Sequence, residues 1–213
     1  MPAPSSYQRK LADRRRPLTK ELMLEALRAE GKPTSFFRRG AKILKHNRMQ
    51  QGIVYELSEN YGAGFDPDFK PYYSPAEMLL MGVFEGKYCN DQCLELPKSW
   101  FLGSLRHGKL SPEGADFDIN YFSGVKSRQS LREWRRKGWI PCVRGDTFVR
   151  GWFEWYCFYY CGVRNPEVDA KQIARWRSFK RHYAQVKANA PRQLTKRTRQ
   201  RQALLQWAYN CCV

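Results

Sequence analysis

The chain has 213 residues, with 38 Lys/Arg against 20 Asp/Glu and a formal net charge of +18. At 42% hydrophobic and 15% aromatic residues it is too apolar for a disordered protein and long enough to bury a core. No apolar run reaches the roughly 18–20 residues of a membrane helix. The longest, Trp152 to Val163, is interrupted by Glu154.

The charge is unevenly placed. Residues 1–50 carry 13 bases and 4 acids, residues 51–169 carry 14 and 16, and residues 170–213 carry 11 and none. The seven cysteines are odd in number and no signal-peptide pattern opens the chain, so an intracellular, reducing compartment is expected.

In chain order, residues 1–17 read as a flexible basic arm containing Arg9, Lys10, Arg14, Arg15 and Arg16. An organelle-targeting peptide is the alternative, and Asp13 and the lack of an apolar face argue against it. Residues 18–50 read as a helical hairpin module. Its first helix runs from Thr19 to Glu30 and stops at Gly31. Its second is expected from Thr34 or Ser35 to Gln50, with Phe36, Phe37, Ile43 and Leu44 apolar and Arg38, Arg39, Lys42, Lys45 and Arg48 on the other sides. The pair resembles a helix-turn-helix in outline.

Residues 51–73, rich in Gly, Asp, Pro and Tyr, read as a linker or loop. Gly62-Ala63-Gly64 lacks the third glycine of a dinucleotide fingerprint. A helical core domain is expected over 74–213. Ser74-Pro75-Ala76-Glu77 is a helix start in which the serine caps, proline takes the first turn and glutamate reaches back. Further helices are expected at Lys98–Leu105 and Ser130–Lys137, with a turn-rich acidic connector at Ser111–Gly124.

A small β-hairpin is expected near 139–150. The block Gly151–Gly162 is apolar on nearly every side and reads as a buried central helix. Helices over Val168–Asn189 and Thr195–Tyr209 complete the chain. The fold class is mainly α: a compact helical domain with loops rich in Gly, Pro and aromatic residues.

Three constellations could carry chemistry. The first is the acid-free C-terminus. Arg175, Arg177, Lys180, Arg181 and Lys187 surround an apolar seam of Ile173, Trp176, Phe179, Tyr183 and Val186, and Lys196, Arg197, Arg199 and Arg201 follow. An ordinary exposed helix mixes signs, because Glu–Lys pairs support it. Eleven bases without an acid fit a polyanion, and nucleic acid is the commonest. With Arg14, Arg15, Arg16, Arg38, Arg39 and Lys42 these residues form the expected phosphate-binding set. Tyr159 and Tyr160, at the edge of the aromatic block, are candidates for stacking on bases.

The second constellation is acidic. Glu85, Lys87, Asp91 and Glu95 lie close in sequence, and Asp116 and Asp118 follow. Carboxylates beside a lysine can hold a metal or activate water, so Lys87, Asp91 and Glu95 are the candidate catalytic residues of an alternative nucleic-acid-processing enzyme. The third is the pair of C-x₃-C spacings, Cys89/Cys93 and Cys157/Cys161. These could bind zinc, but equally suit small buried residues, so no cofactor is expected. His107 and His182 are too isolated to define a triad. No Walker loop, H-E-x-x-H or G-x-S-x-G is present.

Several blocks resemble a family of small uncharacterised basic proteins. They are residues 82–88 (Gly-Val-Phe-Glu-Gly-Lys-Tyr), 96–101, 130–140, 151–156, 172–176, Arg181-His182 and 201–209 (Arg-Gln-Ala-Leu-Leu-Gln-Trp-Ala-Tyr). The resemblance spans residues 78–210 and implies a shared fold without an activity. The resulting expectation is a nucleic-acid-binding protein that clamps phosphates with basic helices and an N-terminal arm, DNA being favoured over RNA. A structural subunit of a ribonucleoprotein is the close rival. A protein–protein adaptor using the aromatics is a third class.

Overall fold

The computed structural model describes residues 3–113, 119–120, 122–127, 131–138 and 148–213. The expected hairpin near 139–150 falls largely outside these, as do Asp116, Asp118 and the Ser130 cap. Among the described residues the protein is mainly helical, with one small β-hairpin at residues 42–56.

The N-terminal segment is not a free arm. Ser5 and Gln8 form a capping box that starts α1 (Ser6–Ala12), and Leu11 and Ala12 are buried. The Ser5 hydroxyl donates to Glu30, which ends α2 (Lys20–Glu30). Thr19 caps α2 by accepting from the Leu22 amide at 3.1 Å, and Leu22, Met23, Ala26 and Leu27 face the core. Gly31 is required at its end, since a Cβ there would come 2.3 Å from the Leu27 carbonyl oxygen.

The helix expected from residue 34 to 50 is corrected. A single 3₁₀ turn, Thr34–Phe36, leads through Gly40, at φ +81°, into strand β1 (Lys42–His46). Strand β2 (Gln51–Glu56) pairs with it antiparallel, within what the sequence suggested was loop. Ile43 opposes Tyr55 and Lys45 opposes Ile53, with a shift in register between Lys45 and His46. Along β1 the alternate residues Ile43 and Lys45 both point inward and are fully buried. Asn47 closes the turn by accepting from the Met49 and Gln50 amides at 2.9 and 3.1 Å.

The second half follows the expected pattern more closely. The capping box of Ser74 and Glu77 starts α3 (Pro75–Leu80). Helices α4 (Lys98–Arg106), α5 (Leu131–Arg136) and α6 (Trp152–Tyr160) follow. Every residue of α6 but Tyr160 is buried, and Phe69 sits among its rings, 5.4 Å from Trp155, 5.6 Å from Tyr156 and 5.5 Å from Tyr159.

Three polar tips of α6 are satisfied. Trp155 Nε1 donates to Asp169 at 2.7 Å, the Tyr156 hydroxyl donates to the Tyr73 carbonyl at 2.8 Å, and the Tyr159 hydroxyl accepts from the Asp66 amide at 2.9 Å. The Ser58 and Glu59 amides donate to Gly162 just beyond α6, where a Cβ would lie 2.1 Å from the Glu59 oxygen.

The long helix expected over 168–189 is two, α7 (Pro166–Ser178) and α8 (Lys180–Asn189), which meet at Phe179. Helix α9 (Thr198–Gln206) packs against α8, and Gln200 Nε2 donates to Gln185 Oε1 at 3.0 Å.

Candidate nucleic-acid interface

The basic residues divide into those the protein consumes and those it leaves outside. Lys45 Nζ lies 2.9 Å from Glu154, and both side chains are fully buried. Arg150 binds Asp91 through two 2.7 Å hydrogen bonds and reaches Asn47 at 3.1 Å. Asp91 also accepts from the Arg48 amide at 2.9 Å. Glu95 accepts from the His46 amide at 2.8 Å, from Asn47 at 3.0 Å and from Gln92 at 3.0 Å; Gln92 also donates to Glu154 at 2.8 Å. This buried web joins the β-hairpin, the 89–95 segment and α6.

Electrostatics follow from that packing. Against the cost of burial, the Arg150 guanidinium and its hydrogen bonds hold Asp91 below the usual carboxylate range. Burial pushes Glu95 up to about 7, although Lys45, Asn47 and the His46 amide all favour its charged form.

The candidate catalytic residues therefore receive different surroundings from those expected. Asp91 and Glu95 are buried, with their oxygens bound to Arg150, Asn47, Gln92 and backbone amides, and these contacts give them a role in holding the fold. Lys87 is half-buried on the turn before Asp91.

Cys89, Cys93, Cys157 and Cys161 are all fully buried, and burial pushes their thiols up. Among the described residues, no group of three or more His, Cys, Asp or Glu side chains is arranged to hold a metal ion. No described helix is long and apolar enough to cross a membrane.

Two further assignments change. Arg201 is buried, and its guanidinium donates to the Lys196, Cys211 and Ala190 carbonyls at 3.0, 2.6 and 2.6 Å and to the Val213 oxygen at 2.8 Å. It ties the ends of the α9 region together and is removed from the interface set. Tyr159 is not available for stacking either. Arg164 lies 3.7 Å over its ring, and Phe65 and Phe69 pack beside it. Tyr160 is half-buried against Tyr61 and Phe65.

The remaining bases are at the surface to differing degrees. Near the N-terminus, Arg14 donates to the Arg48 carbonyl at 2.6 Å, Arg15 pairs with Asp13 at 3.4 Å, and Arg16 is exposed. Arg48 binds the Leu11 and Arg16 carbonyls, so the hairpin turn fastens the whole segment. Arg38, Arg39 and Lys42 line an open groove with Pro33 and Phe36. There Arg39 lies 3.9 Å from Glu59 and Lys42 lies 3.6 Å from Glu56.

In the C-terminal region, Arg177 pairs with Asp68 at 2.5 Å, and Arg175 is half-buried with its guanidinium 5.4 Å over Trp207. Lys180, Arg181, Lys187, Lys196, Arg197 and Arg199, with Arg192, are exposed, and none forms an ion pair with a described residue.

The chain matches no protein-family model, no curated protein and no solved structure.

Proposed function

We propose that the protein binds nucleic acid, DNA in preference to RNA, by clamping phosphates with the exposed bases of α8, α9 and their connecting loop. Arg14, Arg15, Arg16, Arg38, Arg39 and Lys42 contribute a second basic surface. The observation that carries this reading is the seven-residue set from Lys180 to Arg199, exposed and without an acidic partner among the described residues.

Elsewhere several of the surface bases have acids at hand. Arg15, Arg39, Lys42, Lys171 and Arg177 all lie within 4 Å of a carboxylate. A surface of bare cations repels itself, and phosphate neutralises it while releasing condensed counterions. The absence of an RNA-recognition motif in the sequence supports DNA over RNA.

The test is fluorescence anisotropy of the full chain with duplex DNA, single-stranded DNA and structured RNA of equal length, from low to physiological salt. The reading expects binding that weakens steeply with salt and favours a DNA probe. Preference for structured RNA would turn the reading to a ribonucleoprotein subunit, and no binding to any probe would overturn it.

A further inference from the structure

Two series of ring contacts, each with one stacked pair (Trp176–Tyr209 and Phe179–Trp207) among tilted or edge-on ones, run from the core to the surface of α8. One goes from Phe69 to Trp176 at 5.0 Å, then Tyr209 at 4.8 Å, and ends at Tyr183 at 5.9 Å. The other goes from Trp152 to Trp207 at 4.9 Å, then Phe179 at 4.4 Å, and ends at His182 at 5.2 Å. The inner members have rings on more than one side. Trp207, for example, meets Trp152, Phe179 and the Arg175 guanidinium. The terminal members, Tyr183 and His182, are half-buried neighbours on one helix, and among the described residues each has a single ring contact.

Helical spacing decides what surrounds the end of the first series. Lys180 and Lys187 stand three residues before and four residues after Tyr183, so the three share one face of α8. Both lysines are exposed and have no partner among the described residues. A ring with its inner side held by Tyr209 and a cation on either side along the helix is a stacking step between two phosphate contacts. Duplex DNA offers phosphates but keeps its bases stacked on one another. An unpaired strand offers both phosphate and base face.

We propose that Tyr183 is a base-stacking residue for single-stranded nucleic acid, bracketed by phosphate contacts from Lys180 and Lys187, with His182 as a second step. This rests on the nucleic-acid-binding reading and narrows it to unpaired strands. It also moves the stacking role from Tyr159 and Tyr160 to α8.

The experiment compares wild type, Tyr183→Ala, Tyr183→Phe and Lys180→Ala/Lys187→Ala by anisotropy, on single-stranded DNA, single-stranded RNA and the fully paired duplex, each as a function of salt. Tyr183→Ala is expected to weaken single-strand binding roughly 5- to 100-fold, with duplex affinity and salt slope unchanged. Tyr183→Phe keeps the ring face and is expected to bind as wild type. The lysine variant is expected to lower the salt slope on every probe.

If Tyr183→Ala does not fold, a second measurement decides. Tryptophan emission of the wild type is expected to be quenched by single-stranded oligonucleotide and not by duplex, through the ring contacts that hold Trp176 and Trp207. Equal quenching by both would overturn the proposal. Wild-type single-strand affinity in a folded Tyr183→Ala would overturn the stacking role and leave phosphate clamping in place. Failure of the wild type to bind any probe would remove the parent reading as well.

Discussion

Lys45 and Arg181 carry the same charge under opposite conditions. Lys45 is fully buried on β1 against Glu154, within a web that also holds Arg150, Asp91 and Glu95. Arg181 stands exposed on α8 in a stretch of chain with no acid after Asp169. In the web, each charge is held by a partner it cannot lose without leaving another charge buried. The exposed bases of α8, α9 and their connecting loop have no acidic partner among the described residues and are free to meet one from outside. Net charge alone does not separate these cases, and burial and partner do.

The largest expected effect lies in the web. Arg150→Met leaves Asp91 buried without its bidentate partner and is expected to cost about 3–5 kcal/mol in urea denaturation. Lys45→Met, which strands Glu154, belongs to the same range. If either costs under about 1 kcal/mol, the web does not hold the hairpin to α6.

The pH dependence of stability comes next. The folded Glu95 is pushed up to about 7 from an ordinary value of 4.5. Its contribution is therefore full below about pH 4.5 and is lost as pH rises through 7, a change on the order of 3 kcal/mol. Asp91, held low, works in the opposite sense, and its contribution is lost as pH falls through the acidic range. Denaturant midpoints at pH 5 and pH 8 should differ in the wild type and converge in Glu95→Gln. Equal wild-type midpoints would contradict the assignment.

Arg201→Ala removes hydrogen bonds to four oxygens around α9 and is expected to destabilise by about 3 kcal/mol. Thermal unfolding checks this, and a neutral outcome would return Arg201 to the surface set. The smallest stability effect is expected at Lys180, Arg181 and Lys187, whose alanine variants should stay within about 0.5 kcal/mol of wild type.

How much could be read in the sequence depended on whether a segment's determinants were local. The Ser74–Glu77 capping box, the periodic face of α2 and the glycine-bracketed apolar block that became α6 carry their signal within a few residues, and the structure has all three. The β-hairpin did not announce itself, because its inward position 45 is a lysine. Lys-Ile-Leu-Lys-His reads as a strand only once Lys45 is known to face Glu154, 109 positions on. Asp91 and Glu95 resembled catalytic acids for the same reason, since Arg150 lies 59 residues from Asp91 and no spacing reveals it.

Arg201 shared the charge pattern of its neighbours, and only its four oxygen contacts distinguish it. Tyr183 was legible as part of an apolar seam. Its place at the end of a series of ring contacts depends on Tyr209 and Trp176, which the fold brings together. The exposed C-terminal bases were the most legible part of the candidate site, because the absence of acids is itself local.

The most direct test of the division between buried and exposed charge is the slope of log binding constant against log salt for wild type, Lys180→Ala/Arg181→Ala/Lys187→Ala, and Lys45→Met, on one single-stranded oligonucleotide. The account predicts that the triple variant loses about two units of slope while remaining as stable as wild type. Lys45→Met should keep the wild-type slope wherever it remains folded. Equal slopes for the triple variant and wild type, or a slope lowered only by Lys45→Met, would contradict it.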